Sequence, residues 1–188
     1  NTLQEFTALI KSKPGEFNYG SSGVGTNTHL SGELFNQMAG TKMIHIPYKG
    51  SGPVTTDLLA GRVQLSFQVP ITVISFVSAG RLRALAMSGE GRLPAMPTVP
   101  TFTEAGMKGF GLTSVTGLVT PAKVPRAIIN KINTEVNAVL ALPATTEFMA
   151  KQGAEPFTST PEQAAAVIRE ELARYAKIIK TGGIVYKP

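Results

Sequence analysis

The chain has 188 residues, 43% of them hydrophobic, and no cysteine, so it can bury a real core as one domain or one and a fraction, without disulfide staples or thiolate metal sites. Its longest apolar run, within residues 71–80, is broken by Ser75 and Ser78, which excludes a membrane-spanning helix there. The formal net charge of +6 comes from scattered lysines and arginines with no dense tract and no tryptophan, which argues against a nucleic-acid partner and suits attraction of small anions.

In chain order, Thr2 and Glu5 form a capping-box pattern ahead of Leu3, Phe6, Leu9 and Ile10, and Pro14-Gly15 ends that first helix. Residues 17–20 read as a short strand, 27–38 as a helix stopped by Gly40, and 43–47 as the next strand. Pro53 suits the first turn of a helix that Gly61 closes; residues 63–67 read as a strand, 70–79 as a helix and 83–87 as a further strand. A Pro/Gly-rich connector follows. Residues 112–119 are predicted as a strand, and the rest as helices over 125–142, near 145–152, and over 161–180, the last with Thr160 and Gln163 as its capping box. Ile128, Ile132, Val136 and Val139 give the first of these an apolar face with little sheet left to bury it. It is expected to pack on something else, and a second copy of the chain is one such cover.

Strands alternating with helices predict an α/β fold with a mainly parallel sheet. In such sheets ligands bind beyond the carboxyl ends of strands, so three loops are expected to converge: 21–26, 48–52 and 68–69. The first, rich in Ser, Gly and Thr, opens onto a helix whose first N–H groups lack intrahelical partners, a natural anion site. It matches no nucleotide or hydrolase motif. Thr28 stands where a Rossmann fingerprint needs glycine, no lysine falls between Glu16 and Gly40 for a P-loop, and Val24 breaks the nucleophile elbow. Catalysis is not expected: there is no cysteine nucleophile, His29 and His45 lack metal-ligand spacing, and no carboxylate pair stands at the strand ends. No cofactor is indicated.

Four segments, YGSSGVGTNTHLSGELF, IPYKGSGP, AGRLRALAMSGEGRLPAMPTVPTFTEAG and GLVTPAKVP, resemble the tripartite tricarboxylate transporter substrate-binding family, also called TctC or Bug proteins. The resemblance covers nearly the whole chain. It implies a periplasmic binding protein-like II fold, with residues 1–110 as the ligand-binding lobe (domain 2) and 111–188 as the crossover strand and C-terminal helices that complete domain 1. Members carry roughly another domain's worth of chain, with an export signal, ahead of the part that resembles Asn1. The implied function is periplasmic capture of a small organic carboxylate for membrane permease subunits. A ligand-sensing effector domain of a transcriptional regulator shares the architecture and is the alternative. Carried over by residue, the ligand loop falls on Ser21, Ser22, Gly23, Gly25, Thr26 and His29, where His29 is expected either to point to the cleft or to pack against Tyr48. The second loop falls on Tyr48, Lys49, Gly50 and Ser51, with backbone N–H groups as contacts and Lys49 as a field source. Gln68 stands where many relatives carry Asp or Asn, which favours a carboxylate without an amino group. Arg81 and Arg83 are expected at the surface.

Overall fold

The computed structural model describes residues 2–112 and 114–182, with the side chain of 182 excepted. Helix α1 (Leu3–Ser12) starts as the sequence predicts: Thr2 Oγ1 accepts the Glu5 N–H at 3.2 Å and Glu5 Oε2 accepts the Thr2 N–H at 2.9 Å. Its buried Leu3 and Ile10 enter the main core. There follow β1 (Asn18–Ser21), α2 (Asn27–Ala39), β2 (Ile44–Pro47), α3 (Ser51–Leu59), β3 (Leu65–Ser66) and α4 (Pro70–Ser78). Gly40 ends α2 in the left-handed conformation, φ 63°, which glycine adopts without a Cβ clash.

The strands form a parallel sheet in the order β2-β1-β3, with Tyr19 opposite His45 and Gly20 opposite both Ile46 and Ser66. Tyr19 and Gly20 face opposite sides of the sheet. A Cβ at Gly32 of α2 would lie 2.0 Å from the Tyr19 ring, and one at Gly20 would lie 2.9 Å from Val54 of α3. Helix α2 therefore covers the Tyr19 face and α3 the other, as right-handed crossovers require when β1 to β2 runs one way across the sheet and β2 to β3 runs back past β1. The three following loops, 22–26, 48–50 and 67–69, leave the same edge of the sheet.

Two expected strands are absent. Residues 83–87 make only one bridge, Met87 to Thr101, held by the Met87 N–H to Pro100 O and the Phe102 N–H to Met87 O, both at 3.0 Å. Pro97 and Pro100 in the opposing segment have no N–H to extend a ladder. Of 112–119, Thr113 lies outside the described residues, and 112 and 114–119 form no strand, since no described strand runs beside them to share hydrogen bonds. The strand expected at 63–67 shortens to Leu65–Ser66.

Helices α5 (Arg126–Leu140), α6 (Pro143–Lys151) and α7 (Pro161–Gly182) complete the chain. Thr160 and Gln163 form the predicted box at the start of α7. Near that end Glu162 pairs with Arg126 of α5, while Asn133 and Asn137 of α5 donate to Ser159 O. At its other end α7 packs on α2: Ile178 is buried with Leu30 and Leu112, and the Asn27 amide donates to the Tyr175 hydroxyl at 2.8 Å. As anticipated, α5 keeps an open apolar face. Ile128, Ile132 and Val139 are exposed.

Candidate ligand-binding site

The first two loops are tied edge to edge. The Tyr48 N–H donates to Ser21 O and the Gly50 N–H to Ser22 O, both at 3.0 Å. Gly23, at φ 147°, brings its backbone beside Tyr48 O, and a Cβ there would lie 3.5 Å from that oxygen.

Loop 22–26 is not the open cradle of N–H groups that its sequence suggests. The Ser22 N–H goes to Thr28 Oγ1 (2.9 Å), that of Gly23 to Ser21 Oγ (3.2 Å), that of Gly25 to His29 Nδ1 (3.0 Å) and that of Thr26 to Gly23 O (3.3 Å). Small hydroxyl residues can bond nearby backbone, and here they do so in preference to leaving it bare. What the loop presents is hydroxyl oxygen. Ser22 Oγ lies 2.9 Å from Thr28 Oγ1 and 3.3 Å from Thr26 Oγ1, and both Ser22 and Thr26 are partly exposed. Thr26 is also the N-cap of α2, accepting from the His29 N–H.

Thr28 is the buried hub of this network and was not among the expected site residues. Its signal was its place two residues past the cap, where a hydroxyl can turn back over the loop. Thr28→Val keeps the side-chain shape but strands the Ser22 N–H, so we expect a loss of about 1–2 kcal/mol. A lower urea midpoint with unchanged slope would register it.

The second loop is the more open helix start. Gly50 caps α3 with no side-chain hydrogen bond, and a Cβ at Gly50 or Gly52 would meet nothing within 4 Å. Lys49 is exposed beside it. The Tyr48 ring turns back: its hydroxyl donates to Asp57 Oδ2 at 2.8 Å, and Arg62 holds the other Asp57 oxygen at 2.7 Å. Burial and the Asp57 carboxylate push the Tyr48 phenol up, while the Arg62 and Tyr48 hydrogen bonds hold Asp57 below the usual carboxylate range. In the third loop Gln68 Oε1 accepts from the Thr72 hydroxyl at 3.4 Å, but its Nε2 is buried with no acceptor among the described residues. A buried unpaired amide is costly, and an added acceptor would relieve it.

His29 neither faces the open side nor packs against Tyr48. It is buried and stacks on His45, ring centroids 3.9 Å apart. Tyr19 also stacks on His45, at 4.9 Å, and donates its hydroxyl to Glu33 Oε1. Burial, partly offset by Glu33, lowers the His29 pKa; burial and then His29 push His45 down to about 4. His45 Nε2 lies 2.6 Å from Ser21 Oγ, the spacing of a nucleophile and its base, but Ser21 is fully buried and its hydroxyl is engaged with Gly23. Among the described residues no cluster of three His, Asp or Glu side chains could hold a metal ion.

The family model described as tripartite tricarboxylate transporter family receptor, TctC, matches residues 1–184. The chain belongs to the TctC family. Its fold is that of the family's periplasmic solute-binding proteins. The structure of R. palustris Rpa4515 with adipate superposes with a TM-score of 0.94 at 34% identity, covering 98% of this chain and 62% of that one. Periplasmic binding protein BugD gives 0.85 at 27%, covering 100% and 63%. MatC (Rpa3494) from Rhodopseudomonas palustris with bound malate gives 0.83 at 27%, covering 95% and 62%. BugT of Bordetella pertussis is 34% identical over 187 residues, which is 100% of this chain but 57% of BugT. The chain thus spans little more than half the length of such curated relatives.

In this TctC chain the long motif of residues 79–106 builds a clasp of its own. Arg92 Nε donates to both Glu104 oxygens, its Nη1 reaches Pro97 O at 3.1 Å, and Glu104 and Thr101 cap each other. Arg81 lies over the Phe76 ring at 5.4 Å, and Arg83 is exposed, both at the surface as expected.

Proposed function

We propose that residues 1–110 are the ligand-gripping lobe of an extracytoplasmic TctC receptor that binds a small organic carboxylate and presents it to membrane permease subunits, with residues 111–188 belonging to the opposing lobe. The reading is carried by the buried Gln68 amide donor with no acceptor, at the same sheet edge as the Ser22/Thr26 hydroxyls and the uncapped start of α3. The Gln68 amide, the Ser22 hydroxyl and the start of α3 can donate hydrogen bonds, while Thr26 Oγ1 gives its own proton to Gly23 O at 2.7 Å and positions Ser22; an ionised carboxylate offers about four acceptor positions. Relatives bound to adipate and to malate point to the same ligand class. Lys49 adds positive field at the rim, and the Ser21, Gly23, Gly25 and His29 group holds the loop from behind. Closure of the opposing lobe would exclude water and strengthen these bonds. Among the described residues no helix is long and apolar enough to cross a membrane.

Calorimetric titration with adipate, malate and the neutral diamide of adipic acid tests the proposal. Saturable binding of an acid without the diamide is expected, and Gln68→Leu should weaken it about tenfold, the worth of one hydrogen bond to a charged group. Diamide binding equal to that of the acids, or an affinity indifferent to Gln68, would overturn the carboxylate reading.

A further inference from the structure

We propose that the stacked imidazoles of His29 and His45 are positioning residues that set the shape of loop 22–26, and that they do so only while both rings are neutral. The loop is tethered at two glycine amides on either side of Val24. The Gly25 N–H donates to His29 Nδ1 at 3.0 Å; the Gly23 N–H donates to Ser21 Oγ at 3.2 Å, and that oxygen lies 2.6 Å from His45 Nε2. The rings stack at 3.9 Å with planes 16° apart, so one slab of imidazole supports both tethers.

The Gly25 hydrogen bond fixes the His29 proton: Nδ1 must keep its lone pair to accept, which puts the ring proton on Nε2. Ser21 Oγ accepts from Gly23, and its own proton has two acceptors in reach, Gly23 O at 3.2 Å and His45 Nε2 at 2.6 Å, so either neutral His45 tautomer serves that tether. A proton added at His29 Nδ1 sets two donors against each other at Gly25, and a charge on either ring lies under 4 Å from its neighbour.

The charged and titratable groups facing the pair are Glu33 of α2, 3.9 Å from His29 Nε2, and Tyr19 of β1, whose hydroxyl donates to that carboxylate. Phe67, packed edge-on against Tyr19, brings no charge. Glu33 is too far from His29 for a hydrogen bond and already engaged, so it does not offset the lost Gly25 contact. Both rings are held below the ordinary histidine range by burial.

Long-range ¹⁵N–¹H NMR of the chain reports the His29 tautomer directly, and amide exchange reports Gly25. At pH 7 the Nε2–H form and a protected Gly25 amide are expected. His29→Leu should cut the Gly25 protection factor at least tenfold while Phe35 in the core stays protected, and His29→Asn, whose side-chain oxygen falls near Nδ1, should restore it. Acidification to pH 4 should imitate His29→Leu. A proton on His29 Nδ1 at pH 7 would overturn the inference without any variant; so would Gly25 protection that His29→Leu leaves unchanged. The link to ligand binding rests on the proposed carboxylate function, and adipate titration separates the two. His29→Leu should weaken adipate about tenfold, whereas failure of the unsubstituted chain to bind any acid would count against the function alone.

Discussion

Gly32→Ala should cost this protein at least about 2 kcal/mol, although alanine is the better helix former by about 1 kcal/mol. The new Cβ would sit 2.0, 2.4 and 2.6 Å from three atoms of the Tyr19 ring. Such overpacking costs about 1–3 kcal/mol, and more where the neighbour is held. Tyr19 is held on all sides: fully buried, stacked on His45, edge-on to Phe67, and bonded through its hydroxyl to Glu33. Relief must therefore come from moving α2 away from β1. Gly52→Ala is the control, since its Cβ meets nothing within 4 Å in a helical position; there the propensity gain stands alone, and stability should hold or rise slightly. Urea denaturation of both variants decides the matter, and equal stabilities would mean that the α2–β1 contact is looser than its geometry implies.

Stability should also fall by about 2 kcal/mol as pH drops from 7 to 4.5. Burial holds the His45 pKa at about 4 in the folded chain, below the ordinary histidine value of 6.5, and lowers that of His29 too. With folded pKa values below the unfolded one, the unfolded chain binds more protons in this window. Folding free energy is lost as pH falls from about 6.5 toward the folded value and then levels off. The figure is discounted from full linkage because His45 is only partly buried. Asp57, Glu104 and Glu162 are also shifted down, chiefly by hydrogen bonds from Arg62, Arg92 and Arg126. Their contributions are present above the ordinary carboxylate pKa and disappear only as pH falls below it, so the histidine window stands apart. His45→Phe keeps an aromatic stack without titrating, and thermal melts from pH 7 to 5 should show a flatter slope for it even if its stability is lower throughout. An unchanged slope would place the titration elsewhere.

The elements were legible where a local rule decides them. Thr2 with Glu5, Gly40, and Thr160 with Gln163 each act within a few residues, and each does what its residue type allows. The sheet edge followed from the order of strands and glycines alone. Residues 83–87 misled because an apolar run says nothing about whether a partner can pair, and the partner here carries prolines. Loop 22–26 misled in a second way. Its composition announces donors, but His29 turns back one helical turn to absorb the Gly25 N–H, and the His45 ring that holds it there is sixteen positions away in sequence, brought onto it only by the crossover through α2. Thr28 had only its place two residues past the cap to mark it, since its three polar contacts exist only once the loop has turned back on the helix.

Helix α7 has 22 residues and so a length of about 33 Å. One end is bonded to α5, and near the other Tyr175 accepts from Asn27 in the first turn of α2, directly behind the Ser22/Thr26 hydroxyls. A stiff rod pinned at two distant points acts as a lever. A tilt of α5 that carried the start of α7 with it would load the Asn27 contact, so a rearrangement among the C-terminal helices would reach the root of loop 22–26 as mechanical displacement.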